Sequence, residues 1–392
     1  MSLADTGRRM TAITMGIDHF ERSRNDGRSL LDGEGLVPIY MGADIVAPND
    51  YNSWDEVQSD LEALSKEIDG LPKGERKVFF EGMLISLKLA VRLFSGGSPT
   101  FEEKVVDLVG APRGKVDPAI IETARDNLDR LLAGSGFTRG SLHDRVIAWE
   151  EDRAIDAERL EAVFTELMDE ARQRTNEMIF DTGDYTMQLH PVSDVPYTAR
   201  CNFNEGQMDL NTDLSFTRAA LKHLVCHEVF PGHSTQLIST RAEVDAGRAT
   251  ADALLITANA ITGCVQEGIG DQGVQLIDWI EDDDDQIHLE LRRLRSAAQT
   301  TAAWVYMVEG KPAEEVMRYL REVAMGQEAW ARGRLRMAAH PFRGPFIASY
   351  WAGNEAVRTV RERIRPAQKA DFLKALYGRA QSPRSLDMFP AE

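Results

Sequence analysis

A mainly α-helical fold with a small β-sheet is what this chain of 392 residues predicts, on three observations. Most of the sequence divides into stretches of helical length whose apolar residues recur every three or four positions, parted by Gly- and Pro-containing joints. One region after Gly183 instead carries short β-compatible runs bounded by turn residues. The composition, 43% hydrophobic and 28% charged, suits a large buried core under a solvated surface, as in a globular protein.

Residues 1–50 are rich in Gly, Asp and Arg with weak periodicity and read as an irregular lead-in. Pro48-Asn49-Asp50 and Asn52-Ser53 then give turn and cap signals for a helix over Trp54–Ile68. Helical periodicity follows over Lys73–Phe94, Pro118–Leu132, Ser141–Trp149 and Asp156–Ile179, with breaks at Gly96-Gly97-Ser98-Pro99 and Gly110-Ala111-Pro112. The runs Tyr185–Leu189, Tyr197–Phe203 and Met208–Leu210 read as strands, the last two closed into a hairpin by Glu205-Gly206. Thr212 or Asp213 is placed to cap the next helix, and further helices are expected over Ser234–Ala246, Ala249–Trp279, Asp284–Met307, Pro312–Val323, Gly326–Ala338, Pro345–Ile364 and Ala367–Tyr377. The acidic run Asp282–Asp285 reads as the solvated start of a helix rather than a calcium loop, since no spaced oxygen ligands follow it. The expected organisation is one unit over residues 1–392, mostly helical over 1–180, with the strand pair and the chemically suggestive helices over 181–392.

Forty-five basic against sixty-three acidic residues leave a net charge of −18, which opposes binding to nucleic acid or to an anionic membrane. The longest mostly apolar stretch, Ala253–Val265, is too short to span a bilayer, and Met1–Arg9 lacks the apolar core of a secretory signal. Three cysteines, Cys201, Cys226 and Cys264, are too few for a disulfide framework. A cytoplasmic protein is the expectation, with the cysteines packed as small hydrophobes rather than serving a His/Cys metal site.

Chemistry concentrates at His227-Glu228-Val229-Phe230-Pro231-Gly232-His233. In the pattern H-E-x-x-H, two histidines one helical turn apart hold zinc and the glutamate activates a water. Here two extra residues separate the histidines, which on a continuous helix would stand about 240° apart around the axis. The extra pair is Pro231-Gly232, a helix breaker, so the helix is predicted to distort between Phe230 and His233 and to return His233 to the side of His227. On this reading His227 and His233 are zinc ligands and Glu228 is the base. The third ligand is expected to be Glu267, because a carboxylate ending an apolar helix is costly without a metal or charged partner; the alternative is an ion pair with an arginine. Asp271, one turn on, is the nearest substitute or a partner for a ligating histidine. His223 is expected beside the site rather than in it.

The heptad, the Glu267-Gly268 pair and the Ser349-Tyr350-x-x-Gly353 element together resemble the bacterial family known as domain of unknown function 885, whose members are similar to zincin-type metallopeptidases. The family pattern is H-E-x-x-P-G-H, often followed by His-x-Gln, then E-G-x-A-x-Y-A-E, then a proline-led Y-x-x-G helix. Gln236 matches, whereas Ile269-Gly270-Asp271-Gln272-Gly273 departs from the second element, which bears on pocket shape. The resemblance covers residues 197–358 and implies a zincin-like helical protein with its small sheet beside the motif helix. It further implies Zn2+ as cofactor, and Tyr350 as donor to the oxyanion formed when water attacks a carbonyl. The strand pair would hold an extended peptide, and Arg343 is a candidate for a substrate carboxylate. The function so expected is that of a zinc metallopeptidase or amide hydrolase acting on a peptide or small amide. The alternative is a noncatalytic helical protein that binds metal or peptide without turnover.

Overall fold

Helix dominates because most of the chain offers an apolar stripe of helical period between explicit stop signals. The computed structural model describes residues 2–24, 29–31, 35–195 and 198–390, and is 64% helix and 5% strand. The mainly helical class is therefore the one observed.

The lead-in expected over residues 1–50 is instead opened by a long helix, α1 (Leu3–Ser23), capped by a reciprocal Ser2–Asp5 box. Its buried face is unusually polar. Thr11 and Thr14 donate back to the carbonyls of Gly7 and Met10 at 2.8 Å, and buried Asp18 accepts from Leu36 N at 2.6 Å. Internal polar groups satisfied in this way dilute the apolar period on which the sequence reading relied.

Helices α2 (Trp54–Asp69) and α3 (Glu75–Phe94) pack on α1 around Ile13, Leu61, Phe80 and Leu87. The short α4 (Phe101–Glu103) runs on as one π-turn. Next come α5 (Pro118–Gly134), α6 (Leu142–Asp152) and α7 (Leu160–Met178), close to the predicted ranges. After a two-residue strand β1 (Ile39–Tyr40), the sheet region forms β2 (Gln188–Val192), β3 (Ala199–Asn202) and β4 (Gln207–Asn211) in the order β2-β4-β3. The β3–β4 pair is antiparallel, with Cys201 opposite Met208, as the Glu205-Gly206 turn predicts. Tyr197, expected at the start of that strand, lies outside the described residues.

The motif helix α8 (Arg218–Glu228) is capped by Thr217, not by Thr212 or Asp213; the Thr217 hydroxyl accepts from Ala220 N at 3.0 Å. The chain between them is used to bury Phe216. Helix α9 (His233–Asp245) follows. The single helix expected over 249–279 does not form. That stretch makes a 3-10 turn, a two-residue strand β5 (Leu255–Ile256) paired with β1, then α10 (Ile261–Asp271) and α11 (Gly273–Leu276). Asn259 sits at φ 60°, which ends any helix there, and its side-chain amide donates to the Phe342 carbonyl.

The remaining helices α12 (Asp283–Met307), α13 (Ala313–Val323), α14 (Glu328–Ala338), α15 (Ile347–Arg363) and α16 (Lys369–Gly378) lie where periodicity places them, and a short α17 (Pro383–Asp387), capped by Ser382, follows where no helix is expected. Helix α10 is central: Ile261 and Cys264 join the core of α1–α3, and Val265 and Ile269 join the core of α15 and α16. Among the described residues no helix is long and apolar enough to cross a membrane.

The acidic run is less solvated than expected. Asp282 caps α12, but Asp285 is buried and receives Lys222 Nζ at 2.5 Å, while Glu281 receives the same ammonium at 2.6 Å. Burial works against the charge of Glu281, but hydrogen bonds from Lys222 and Arg218 prevail and hold its pKa down at about 2, from 4.5. A carboxyl depressed by folding contributes stability above its ordinary pKa and loses it as pH falls toward the folded value. The urea midpoint is therefore expected to drop between pH 4.5 and 2, with Glu281→Gln giving a flatter profile across that window. An identical profile in the variant contradicts the assignment.

Candidate metal centre

Helix α8 stops at Glu228 because Val229 leaves helical geometry at φ −122° and ψ −77°. The Phe230–Pro231 peptide is cis, and α9 opens at His233. The predicted distortion is thus a complete break. Gly232 folds over the end of α8 so closely that a Cβ there would collide with the His227 carbonyl oxygen. The released carbonyls are taken up locally: Ser234 Oγ donates to Glu228 O at 3.1 Å and Thr235 Oγ1 to Val229 O at 2.9 Å. Across the break the His227 and His233 rings meet edge to face, 4.9 Å between centroids.

Glu267 on α10 reaches the same place. Its Oε2 is 3.3 Å from His227 Nε2 and its Oε1 is 4.0 Å from His233 Nε2. One donor atom from each of the three residues lies within 4.8 Å of the others. Two ligands on a tetrahedral zinc at ~2.1 Å stand about 3.4 Å apart, so the set needs little adjustment to fit one ion. Buried Glu267 Oε2 has no hydrogen-bond donor, an orphan that a cation would satisfy.

Asp271, one turn along α10, faces the other nitrogen of His227 at 3.3 Å. It also contacts His223 Nε2 at 3.4 Å and accepts from Arg292 Nη2 at 2.9 Å. His223, His227 and Asp271 form a second group of metal-competent spacing, but there the Arg292 guanidinium already compensates the carboxylate. The first group, partly open and beside Glu228, is the better cation site, with Asp271 orienting His227 from behind. Burial disfavours a charge on His227, yet the Asp271 and Glu267 carboxylates beside its two ring nitrogens outweigh it and raise its pKa to about 10. The space between these carboxylates attracts positive charge. Burial pushes His223 down to about 4, which leaves it neutral beside the site.

The glycines that follow Glu267 have a local use. A Cβ at position 270 would stand 2.7 Å from His227 Nδ1, so Gly270 lets the imidazole lie against α10 and meet Asp271. Gly268 and Gly353 serve another contact. Added Cβ atoms would strike Gly353 O and Cys264 O respectively, so α10 and α15 touch backbone to backbone. This contact brings Tyr350 toward Glu267. Burial and the Glu267 charge raise the Tyr350 pKa well above its ordinary value, keeping the hydroxyl a donor.

Half-buried Glu228 is met from the sheet by Cys201 of β3. Burial, then the Glu228 charge, push that thiol far above its usual range, so it stays protonated and donates to the carboxylate. Cys226 and Cys264 are buried free thiols, and no cysteine joins a metal-competent group among the described residues. Gln236 Nε2 lies 3.3 Å from His233 Nδ1 and donates to Gln266 O at 3.3 Å, linking α9 to α10.

Arg343 turns away from this assembly, donating to Gly35 O at 3.4 Å. The cations beside Tyr350 are instead Arg292 and Arg334. Neither stood out in the sequence, where Arg292 belongs to a helical Arg-rich run and Arg334 follows a helical glycine. Only the packing of α12, α14 and α15 selects them.

No known family profile matches the chain, and no curated protein resembles it in sequence. Solved structures named putative lipoproteins do share its fold. The one from Colwellia psychrerythraea superposes with a TM-score of 0.57 at 15% identity, covering 88% of this chain and 64% of its own. The one from Shewanella oneidensis, described as of unknown function, gives 0.54 at 15% identity, covering 85% and 70%. The chain thus spans less than two thirds of the first neighbour's length.

Proposed function

We propose that this chain is a zinc-dependent hydrolase of peptide or related amide bonds. The carrying observation is the convergence of His227, His233 and Glu267 across a helix break, with Glu228 next to His227. A zinc ion held by these three residues would supply Lewis acidity to a carbonyl oxygen and acidify a water. Glu228 takes the proton from the attacking water and delivers it to the leaving amine. Tyr350 donates to the oxygen of the attacked carbonyl. Asp271 keeps the His227 ring in register, and Cys201 steadies the Glu228 carboxylate.

Strand β3 is an edge of its sheet and carries Cys201 against Glu228. An extended peptide pairing with that edge passes the base, which favours a peptide over an unrelated amide.

Zinc titration tests the ligand set. Wild type is expected to bind one equivalent and to gain about 2.7 kcal/mol of stability at free zinc 100 times Kd. His233→Ala and Glu267→Gln are expected to weaken binding at least tenfold, and Asp271→Asn by about 10–100-fold through the ring it orients. Tight stoichiometric binding that survives loss of both His233 and Glu267 rejects this site.

A further inference from the structure

We propose that Arg334, backed by Arg292, receives the free α-carboxylate of a peptide substrate, so that the chain removes C-terminal residues one at a time. The inference rests on the hydrolase reading and gives it a substrate class.

Arg334 is half-buried on α14 with its guanidinium over the Trp330 ring at 5.5 Å and 4.0 Å from Met337 Sδ, and it reaches the Tyr350 hydroxyl. Among the described residues it has no carboxylate partner. Arg76, Arg145, Arg293 and Arg295 are half-buried too, and each meets one: Asp252, Asp129, Glu355 and Glu150. A half-buried guanidinium without a counter-charge is costly, and more so beside a second cation. Arg292 is that cation; Asp271 occupies one of its nitrogens, while its buried Nε has no acceptor. In a chain of net charge −18, Arg334 thus stands beside Tyr350 without a carboxylate of its own among the described residues.

An arginine fork matches a carboxylate in shape and charge. Its distance from the reacting carbonyl decides which carboxylate. Arg334 lies beside Tyr350, the proposed oxyanion donor, and successive residues of a peptide are spaced only ~3.8 Å apart. A carboxylate held at Arg334 therefore belongs to the residue next after the attacked carbonyl. Hydrolysis then forms the bond from water oxygen to the carbonyl carbon and breaks the last C–N bond. The water proton travels through Glu228 to the leaving nitrogen, releasing one free amino acid and a peptide shortened by one.

The test compares N-acetyl-alanyl-phenylalanine with its C-terminal carboxamide on the zinc-loaded protein. Wild type is expected to favour the free acid about 10–100-fold in kcat/KM, the range of one charge-assisted hydrogen bond. Arg334→Gln, with zinc content and circular dichroism unchanged, is expected to bring the ratio near one through KM for the acid, and Arg334→Lys to restore part of it. Equal cleavage of acid and amide by wild type, or an unaltered ratio in Arg334→Gln, overturns the proposal and leaves the hydrolase reading standing. If neither compound is cleaved, calorimetry on zinc-loaded Glu228→Gln decides. Tighter binding of the acid, lost on adding Arg334→Gln, keeps the carboxylate receptor while the hydrolase reading falls. Equal or absent binding removes the receptor.

Discussion

Glu228→Gln is expected to lower amide hydrolysis by about 10²–10⁴-fold, the usual contribution of a positioned general base, while zinc content stays at the wild-type level. Glutamine keeps the shape of the side chain and its capacity to accept from Cys201, so the helix break and the His227–His233–Glu267 spacing should persist. What it loses is basicity. The variant therefore separates the proton-transfer role from the metal-holding one, as measured by peptide hydrolysis beside metal analysis. Zinc bound by both proteins with no turnover in either supports the noncatalytic binder. Wild-type turnover in the variant removes Glu228 from the mechanism.

The largest structural effect is expected at Gly353. An alanine there places its Cβ against the Cys264 carbonyl oxygen and the Gly268 backbone, and neither can yield without separating α10 from α15. Overpacking a close contact costs about 1–3 kcal/mol, and the upper end or beyond is expected because backbone meets backbone. The same displacement draws Tyr350 away from Glu267, so hydrolysis should fall along with the urea midpoint. Gly333→Ala is the control. Gly333 is exposed on α14 with nothing within 4 Å of an added Cβ, and the substitution is expected to be neutral or to stabilise by about 0.5–1 kcal/mol. Equal midpoints for wild type and Gly353→Ala refute the close-contact account.

Much of this arrangement is legible in the sequence where one short-range rule dominates. The α2, α3 and α12 helices follow from apolar period and caps, and the break after Glu228 follows from Pro231-Gly232. Glu267 stands out because a carboxylate on an apolar helix demands a partner, and two histidines lie beside it. The misses share a cause. Helix α1 buries threonines and Asp18, whose polarity is cancelled by bonds invisible in sequence, and the 249–279 stretch is cut by Asn259, whose left-handed turn depends on the distant Phe342 carbonyl. Arg334 and Cys201 acquire meaning only from the residues packed against them.

The helix break also changes who controls the second histidine. In a continuous motif helix, one backbone ladder sets the spacing of both imidazoles. Here His233 starts a separate helix whose position is fixed elsewhere, through Gln236 to the Gln266 carbonyl and through Ser239 Oγ to the Tyr377 carbonyl on α16 at 2.9 Å, 138 residues away in sequence. Coordination geometry is thereby coupled to the docking of the C-terminal helices, so loosening α16 moves a ligand while the motif stays intact.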